Sequence, residues 1–190
     1  MKQIESIAVY CGASTGNKVS YQTATKELAQ WLVNNHLALV YGGGGFGLMG
    51  ILGSTVLALG GHVPGVIPQE LYDRGTALPQ LKDLTVVADM STRKKTMLAK
   101  ADACIALPGG PGTLEEIAEA FSWALLGDNA NPCIFYNVAG YFDVLEKFFD
   151  EMVQAGFLSK NNRAALFFSD SLAEIWDFMQ DYQTPEIRKY

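Results

Sequence analysis

From one end of the chain to the other, short apolar runs alternate with longer stretches in which apolar residues recur at helical spacing. Residues 4–10 read as a strand and 11–14 as the turn that follows. Residues 21–33 place Leu28, Trp31 and Leu32 at helical spacing, and residues 37–41 form the next apolar run. A glycine-dense turn, 42–47, then leads into a second helical stretch, 48–59. Strands are expected at 63–67 and 85–88, bracketing a loop that contains Pro68-Gln69-Glu70-Leu71. The pattern continues with a helix at 90–100, a strand at 104–107, a helix at 113–126 and a strand at 132–136. A strongly amphipathic helix at 142–153, a short edge strand at 166–168 and a last helix at 171–180 complete it. Apolar strands separated by helices predict a parallel sheet covered on both faces, a doubly wound α/β fold in a single domain. Residues 1–182 are expected to form that domain, and 183–190 a C-terminal tail outside its core.

In such sheets the ligand crevice lies beyond the carboxyl ends of the strands, where strand order reverses. Three turns follow predicted strands, after Tyr10, Tyr41 and Leu107, and all three are candidates to line one crevice. The third, Pro108-Gly109-Gly110-Pro111-Gly112-Thr113, opens a helix. A glycine-rich turn at a helix N-terminus presents unpaired N–H groups and the positive end of the helix dipole, and Thr113 adds a hydroxyl. That arrangement predicts an anion site, with Glu115 and Glu116 carried to its mouth. The 42–50 tract contains G-x-G-x-x-G twice, but it does not follow the first strand, and the next strand ends in Pro68 rather than an acidic residue. It reads better as a loop approaching a nucleotide monophosphate than as a dinucleotide fingerprint, with a purely structural tight turn as the remaining reading.

Two residues carry competing readings. Thr113-Leu114-Glu115-Glu116 is also a capping-box pattern, in which Glu116 serves the helix end. Arg93-Lys94-Lys95 is either a solvated basic face or, because cations oppose the dipole at a helix start, a clamp for an anionic substrate. On helix 113–126, Leu114, Ile117, Ala118, Phe121 and Leu125 form a core stripe, while Ala120, Trp123, Ala124 and Leu126 are apolar on other sides. A helix apolar nearly all round needs cover all round, so a homodimer with Trp123 at its interface is expected.

Composition narrows the function. The 190 residues are 49% hydrophobic and 18% charged, as in an ordinary folded domain. A net charge of −6 with no basic stripe argues against nucleic-acid binding. No apolar run approaches the ~18 residues of a membrane span, so no membrane association is expected. Cys11, Cys104 and Cys133 lie in apolar runs without CxxC spacing, which predicts buried thiols in the cytoplasm. His36 and His62 stand far apart, and no metal site is expected.

Met90-Ser91-Thr92-Arg93-Lys94 followed by Pro108-Gly109-Gly110-Pro111-Gly112-Thr113-Leu114-Glu115-Glu116 resembles the paired signature of the Lonely Guy (LOG) family, often labelled lysine decarboxylases. The resemblance extends to Cys11-Gly12-Ala13-Ser14, to residues 42–50 and to Pro68-Gln69-Glu70-Leu71, and covers about residues 4–180. It implies a Rossmann-like homodimer without a cofactor that hydrolyses the N-glycosidic bond of a nucleoside 5′-monophosphate, AMP or a cytokinin riboside 5′-monophosphate. By the same resemblance Arg93 and Glu116 are catalytic. Glu70, Arg93, Lys94, Gly109, Gly110, Pro111, Gly112, Thr113, Leu114, Glu115 and Ser122 bind substrate. Ser91, Pro111 and Ser122 stand where the family commonly has His, Tyr and Thr, and the first two bear on base preference. A decarboxylase needs a Schiff-base lysine with phosphate and pyridinium partners, and nothing marks one. A non-catalytic nucleotide-binding module and an NAD(P)-dependent oxidoreductase are the alternative readings.

Overall fold

The computed structural model describes residues 3–187. Among these, seven strands form one wholly parallel sheet: β1 (Ser6–Tyr10), β2 (Ala38–Tyr41), β3 (Gly65–Pro68), β4 (Leu84–Val87), β5 (Ala103–Ala106), β6 (Cys133–Tyr136) and β7 (Leu166–Ser169). The helices between them are α1 (Val19–Asn34), α2 (Gly47–Ala58), α3 (Gln69–Asp73), α4 (Met90–Ala99), α5 (Pro111–Leu126), α6 (Asp143–Gln154), α7 (Lys160–Ala164) and α8 (Leu172–Asp181). Spatial order is β4-β3-β2-β1-β5-β6-β7. The chain therefore builds outward from β1 in one direction, crosses back, and builds outward from β5 in the other. Order reverses between β1 and β5, the switch point where a doubly wound sheet opens its crevice.

Strand periodicity divides the core in two. Ile7, Val9, Leu39, Tyr41 and Ile105 face α1, α2 and α8, whereas Ala8, Tyr10, Val40, Cys104 and Ala106 face α4, α5 and α6. Both faces of the central strands are buried, so these strands read as continuous apolar runs. No helix among the described residues is long and apolar enough to cross a membrane.

Three differences from the expected elements have local causes. Helix α5 begins at Pro111, two residues before the expected start, with Gly110 as an N-cap that offers no side-chain hydrogen bond. Proline suits the first helical position because its missing N–H would have no acceptor there. Thr113 is thus inside the helix, and the capping box does not form.

The phase of α5 also differs. Leu114, assigned to the core stripe, is 42% exposed, while Ala120 and Ala124 are buried within the chain. The inward face is Thr113, Ile117, Ala120, Phe121 and Ala124, whose small residues bring the helix close to the sheet. Finally, α3 and α7 replace expected loops, each only five residues long.

The tail expected from Gln183 is described as far as Ile187, and 188–190 lie outside the described residues. Its first part is tied back to the domain: the Glu186 N–H donates to Asn162 Oδ1 at 3.1 Å, and Pro185 is buried.

Candidate active site

Three loops leave the carboxyl ends of β1, β2 and β5 and interlock. The Gly12 N–H donates to the Pro108 carbonyl at 3.1 Å, and the Leu48 N–H donates to the Gly12 carbonyl at 3.0 Å. Gly47 is left-handed at φ +60°, and a β-carbon there would fall 2.2 Å from the Ala13 carbonyl carbon. Only glycine allows that approach. The glycine tract after β2 is also stitched to the segment after α3, with the Gly45 N–H on the Thr76 carbonyl and the Leu78 N–H on the Gly43 carbonyl, both at 2.9 Å. The Gly45, Leu48, Met49 and Gly50 amides of this tract are engaged inside the protein, while Gly42, Gly44 and Phe46 line the cleft.

The loop after β5 is different. Gly110, Gly112 and Thr113 line the cleft, and Gly112 and Thr113 lie in the first turn of α5, where N–H groups have no acceptor within the helix. A β-carbon on Gly109 would stand 2.1 Å from Thr113 Oγ1, so the loop closes directly onto the threonine. The start of α5 thus opens on the cleft.

Beneath it lies the pair that the sequence singled out. Arg93, on α4, donates from Nη1 to Glu116 Oε1 on α5 at 2.8 Å, and the two side chains are only 9% and 10% exposed. Arg93 Nε donates to the Val66 carbonyl at 3.1 Å, and Nη1 also meets Met90 Sδ at 3.1 Å. The Arg93 Nη2 packs on Gly42, where a β-carbon would overlap it at 1.8 Å. Helix α4 brings Arg93 to this point from an N-cap, Asp89, whose side chain accepts from the Thr92 N–H at 2.7 Å. That hydrogen bond, with lesser help from Lys95, holds the Asp89 carboxyl below its usual range. The solvated-face reading of Arg93 therefore fails: among the described residues it is the one charged residue that is buried.

Burial pushes the Glu116 carboxyl above the usual carboxylate range; Arg93 pulls the other way, and Glu115 adds to the rise. Arg93 alone thus does not set the charge state of Glu116. Among the described residues its Oε1 is held by Arg93, and no hydrogen bond engages Oε2. Lys94 bridges Glu115 and Glu119; burial opposes its charge, but the two carboxylates outweigh this and hold it above the ordinary lysine range. Burial also drives the Cys11 thiol upward, so at neutral pH it is a neutral wall of the cleft.

The cleft these groups enclose measures about 410 Å³, the size of a small-ligand site. Its lining includes the charged Arg93, Glu115 and Glu116 and the apolar Phe46, Met49, Ile67, Leu71 and Met90. Among the expected residues, Arg93, Gly110, Gly112, Thr113, Glu115 and Glu116 converge here. Lys94 stands behind Glu115, joined to it. Gly109, Pro111 and Leu114 line an adjoining hollow with Gly110 and Thr113. Glu70 and Ser122 do not reach the cleft of their own chain: Glu70 is exposed and paired with Arg74 one turn along α3, and Ser122 is exposed on α5. Sequence reasoning passed over Glu119 and the apolar lining. For Glu119 the signal was its four-residue spacing from Glu115, which puts both carboxylates on one helix face.

Comparison with known proteins gives the family. Residues 49–179 match the family model described as "Possible lysine decarboxylase". The chain is 43% identical over 180 residues to cytokinin riboside 5′-monophosphate phosphoribohydrolase LOG1 of Arabidopsis thaliana, covering 95% of this chain and 84% of that protein. It is 41% identical over 174 residues to the probable enzyme of the same description, LOGL3, of rice (Oryza sativa subsp. japonica), covering 92% and 82%. Among solved structures, the Moco carrier protein of Chlamydomonas reinhardtii superposes with a TM-score of 0.68 at 21% identity, covering 94% of this chain and 97% of that one. The molybdenum cofactor binding protein of Rippkaea orientalis does so with a TM-score of 0.68 at 15% identity, covering 95% and 98%. Those two likenesses speak for the Rossmann-like fold alone, but the matching model and the identity to the plant proteins place this chain in the LOG family, whose model carries the lysine decarboxylase description.

Proposed function

We propose that this protein hydrolyses the N-glycosidic bond of a nucleoside 5′-monophosphate, AMP or a cytokinin riboside 5′-monophosphate, to free base and ribose 5-phosphate. The observation that carries the reading is the buried Arg93–Glu116 pair in one cleft with the start of α5, whose first-turn N–H groups have no acceptor within the helix. The Gly110–Thr113 amides and the Thr113 hydroxyl would take the 5′-phosphate, and that binding energy would position the sugar. As the bond from C1′ to the base breaks, its electron pair leaves with the base and positive charge develops on the ribose. Glu116 Oε2 would face that charge while Oε1 stays on Arg93, in a site dry enough for the attraction to count. Water then adds its oxygen to C1′ and gives up one proton, the departed base takes up one, and ribose 5-phosphate and the neutral base result. Lys94 would hold Glu115 in place, and Phe46, Leu71 and Met90 would receive the base.

We further infer a homodimer. Trp123 is half-buried beside a hollow of about 670 Å³ that Lys95 and Leu98 also line, and Leu126 is 46% exposed on the same helix. A second subunit laid on α5 would cover this face and give Ser122 and Glu70, exposed in one chain, a role at the partner's cleft. Three free, buried cysteines support a reducing, cytoplasmic setting. The decisive experiment is incubation with AMP and chromatography for adenine. Release of adenine and ribose 5-phosphate is expected; binding of AMP without cleavage would leave a nucleotide-binding module, and hydride exchange with a nicotinamide cofactor an oxidoreductase.

A further inference from the structure

Tyr141 stands outside the cleft, yet its hydroxyl donates to the carbonyl of Gly109 in the anion loop. Its ring is held independently, edge-on to Tyr21 at 5.5 Å and to Phe142 at 4.9 Å, so packing does not require the hydroxyl. The segment that delivers it is firmly built. Asn137 Oδ1 accepts from the Phe142 N–H at 2.7 Å, and its Nδ2 donates to Asp143 at 2.8 Å. Between them Ala139 is left-handed at φ +52°, a conformation rarely taken by residues other than glycine and kept only where the surrounding structure holds it.

The peptide joining Gly109 to Gly110 is trans, so its C=O and N–H point in opposite directions. Flanked by two residues without β-carbons, that plane rotates more freely than any other in the loop. In one orientation it offers an N–H to an anion in the cleft; flipped, it offers a carbonyl oxygen, which repels one. Tyr141 lines the adjoining hollow and not the cleft, while Gly110 lines both. A carbonyl drawn toward Tyr141 is therefore drawn away from the cleft.

We propose that Tyr141 is a positioning residue for the anion loop: its hydroxyl pins the Gly109 carbonyl outward and so holds the Gly110 N–H toward the 5′-phosphate. The proposal rests on the reading of the loop as the phosphate site. Tyr141→Phe keeps the ring and removes only the pin. Ribose 5-phosphate binding by calorimetry and steady-state kinetics on AMP and adenosine, for wild type and variant, test it. Affinity for ribose 5-phosphate is expected to fall about three- to tenfold, the worth of one neutral hydrogen bond. The KM for AMP should rise by the same factor, with kcat for AMP and the rate on adenosine unchanged. Equal ribose 5-phosphate affinity in the two proteins would overturn the role of Tyr141 and leave the proposed function standing. So would a variant that lost kcat on both substrates alike, with a lower melting temperature and no change in KM. Wild type that neither binds ribose 5-phosphate nor cleaves AMP would overturn the proposed function instead, and the pin with it.

Discussion

Replacing Gly42 by alanine moves the Arg93 guanidinium without altering any side chain proposed to act on substrate. Gly42 does not need glycine for its backbone angle, since its φ is not positive; it needs glycine for space. A β-carbon there lies 1.8 Å from Arg93 Nη2 and 2.9 Å from its Cζ, so the guanidinium must retreat by more than an ångström to regain ordinary contact. An arginine tip is often free to do so, but this one is held by Glu116 at 2.8 Å and by the Val66 carbonyl at 3.1 Å. One or both bonds must lengthen. Displacement of a positioned group by about 1 Å costs on the order of 10²-fold in rate. Overpacking at a tight site costs about 1–3 kcal/mol, which in a chain this long lowers Tm by roughly 2–12 °C. The variant should therefore stay folded at 25 °C and lose about two orders of magnitude in kcat/KM for AMP, read by adenine release beside a thermal melt. A folded variant with kcat/KM within about threefold of wild type would show that Arg93 does not need its place on Gly42, and would remove the guanidinium from the chemistry.

Glu116→Gln should lower kcat by at least about 10²-fold, the usual cost of removing a group that faces transition-state charge, while glutamine Oε1 still accepts from Arg93; normal turnover would refute the assignment. The pH dependence follows from burial. Glu116 titrates above its unfolded value, so wild type gains stability as pH falls through the folded value and loses it as pH rises again, a dependence that glutamine lacks. Melts at pH 4 and pH 7 should show the variant comparing more favourably with wild type at pH 7, and the reverse order would mean that Arg93 rather than burial dominates. AMP should be cleaved at least about tenfold better than adenosine, because one charge-assisted contact to phosphate contributes about 1.5–3 kcal/mol; equal rates would remove the loop from the binding model. Trp123→Glu should give monomers by light scattering and lose activity with every proposed catalytic residue in place, and a fully active monomer would defeat the proposed interface.

The sheet was legible because its central strands are buried on both faces, which writes an uninterrupted apolar run for each. Helices α3 and α7 were not, since five residues span less than two turns and carry no periodicity to detect. At α5 two local rules competed. The Thr113–Glu116 spacing suggested a capping box, but Pro111 two residues earlier is an equally good opener, and it sits where the first N–H need not be satisfied. Alanines caused the error in the phase of that helix: Ala120 and Ala124 count little toward an apolar stripe, yet close packing on the sheet is what small residues permit. Arg93 and Glu116 were legible only as candidates, because a charge in a helix is usually solvated and nothing in a linear string says that charges 23 residues apart on two helices will be buried together.

The same limit explains the glycines after β2. Their density suggested a loop approaching a nucleotide monophosphate; the Gly45 and Gly50 amides are engaged within the protein, and several of the missing side chains make room for neighbours. Gly42 yields space to Arg93, Gly47 to Ala13 and Gly50 to the Gly45 carbonyl. Sequence distinguishes a glycine from other residues but not the two reasons for it, an anion that must approach the backbone or a neighbour that must pass it. At Gly42 that distinction decides the chemistry. The space it leaves lets a guanidinium lie beneath a carboxylate that burial would otherwise tend to neutralise. In the proposed reaction, a carboxyl raised by desolvation and restrained by one cation would gain from a second, and the ribosyl group that becomes cationic as its base departs would be that second cation. The attraction is weak toward the neutral sugar and strong only as charge develops, which is the differential binding that accelerates a reaction rather than merely retaining its substrate.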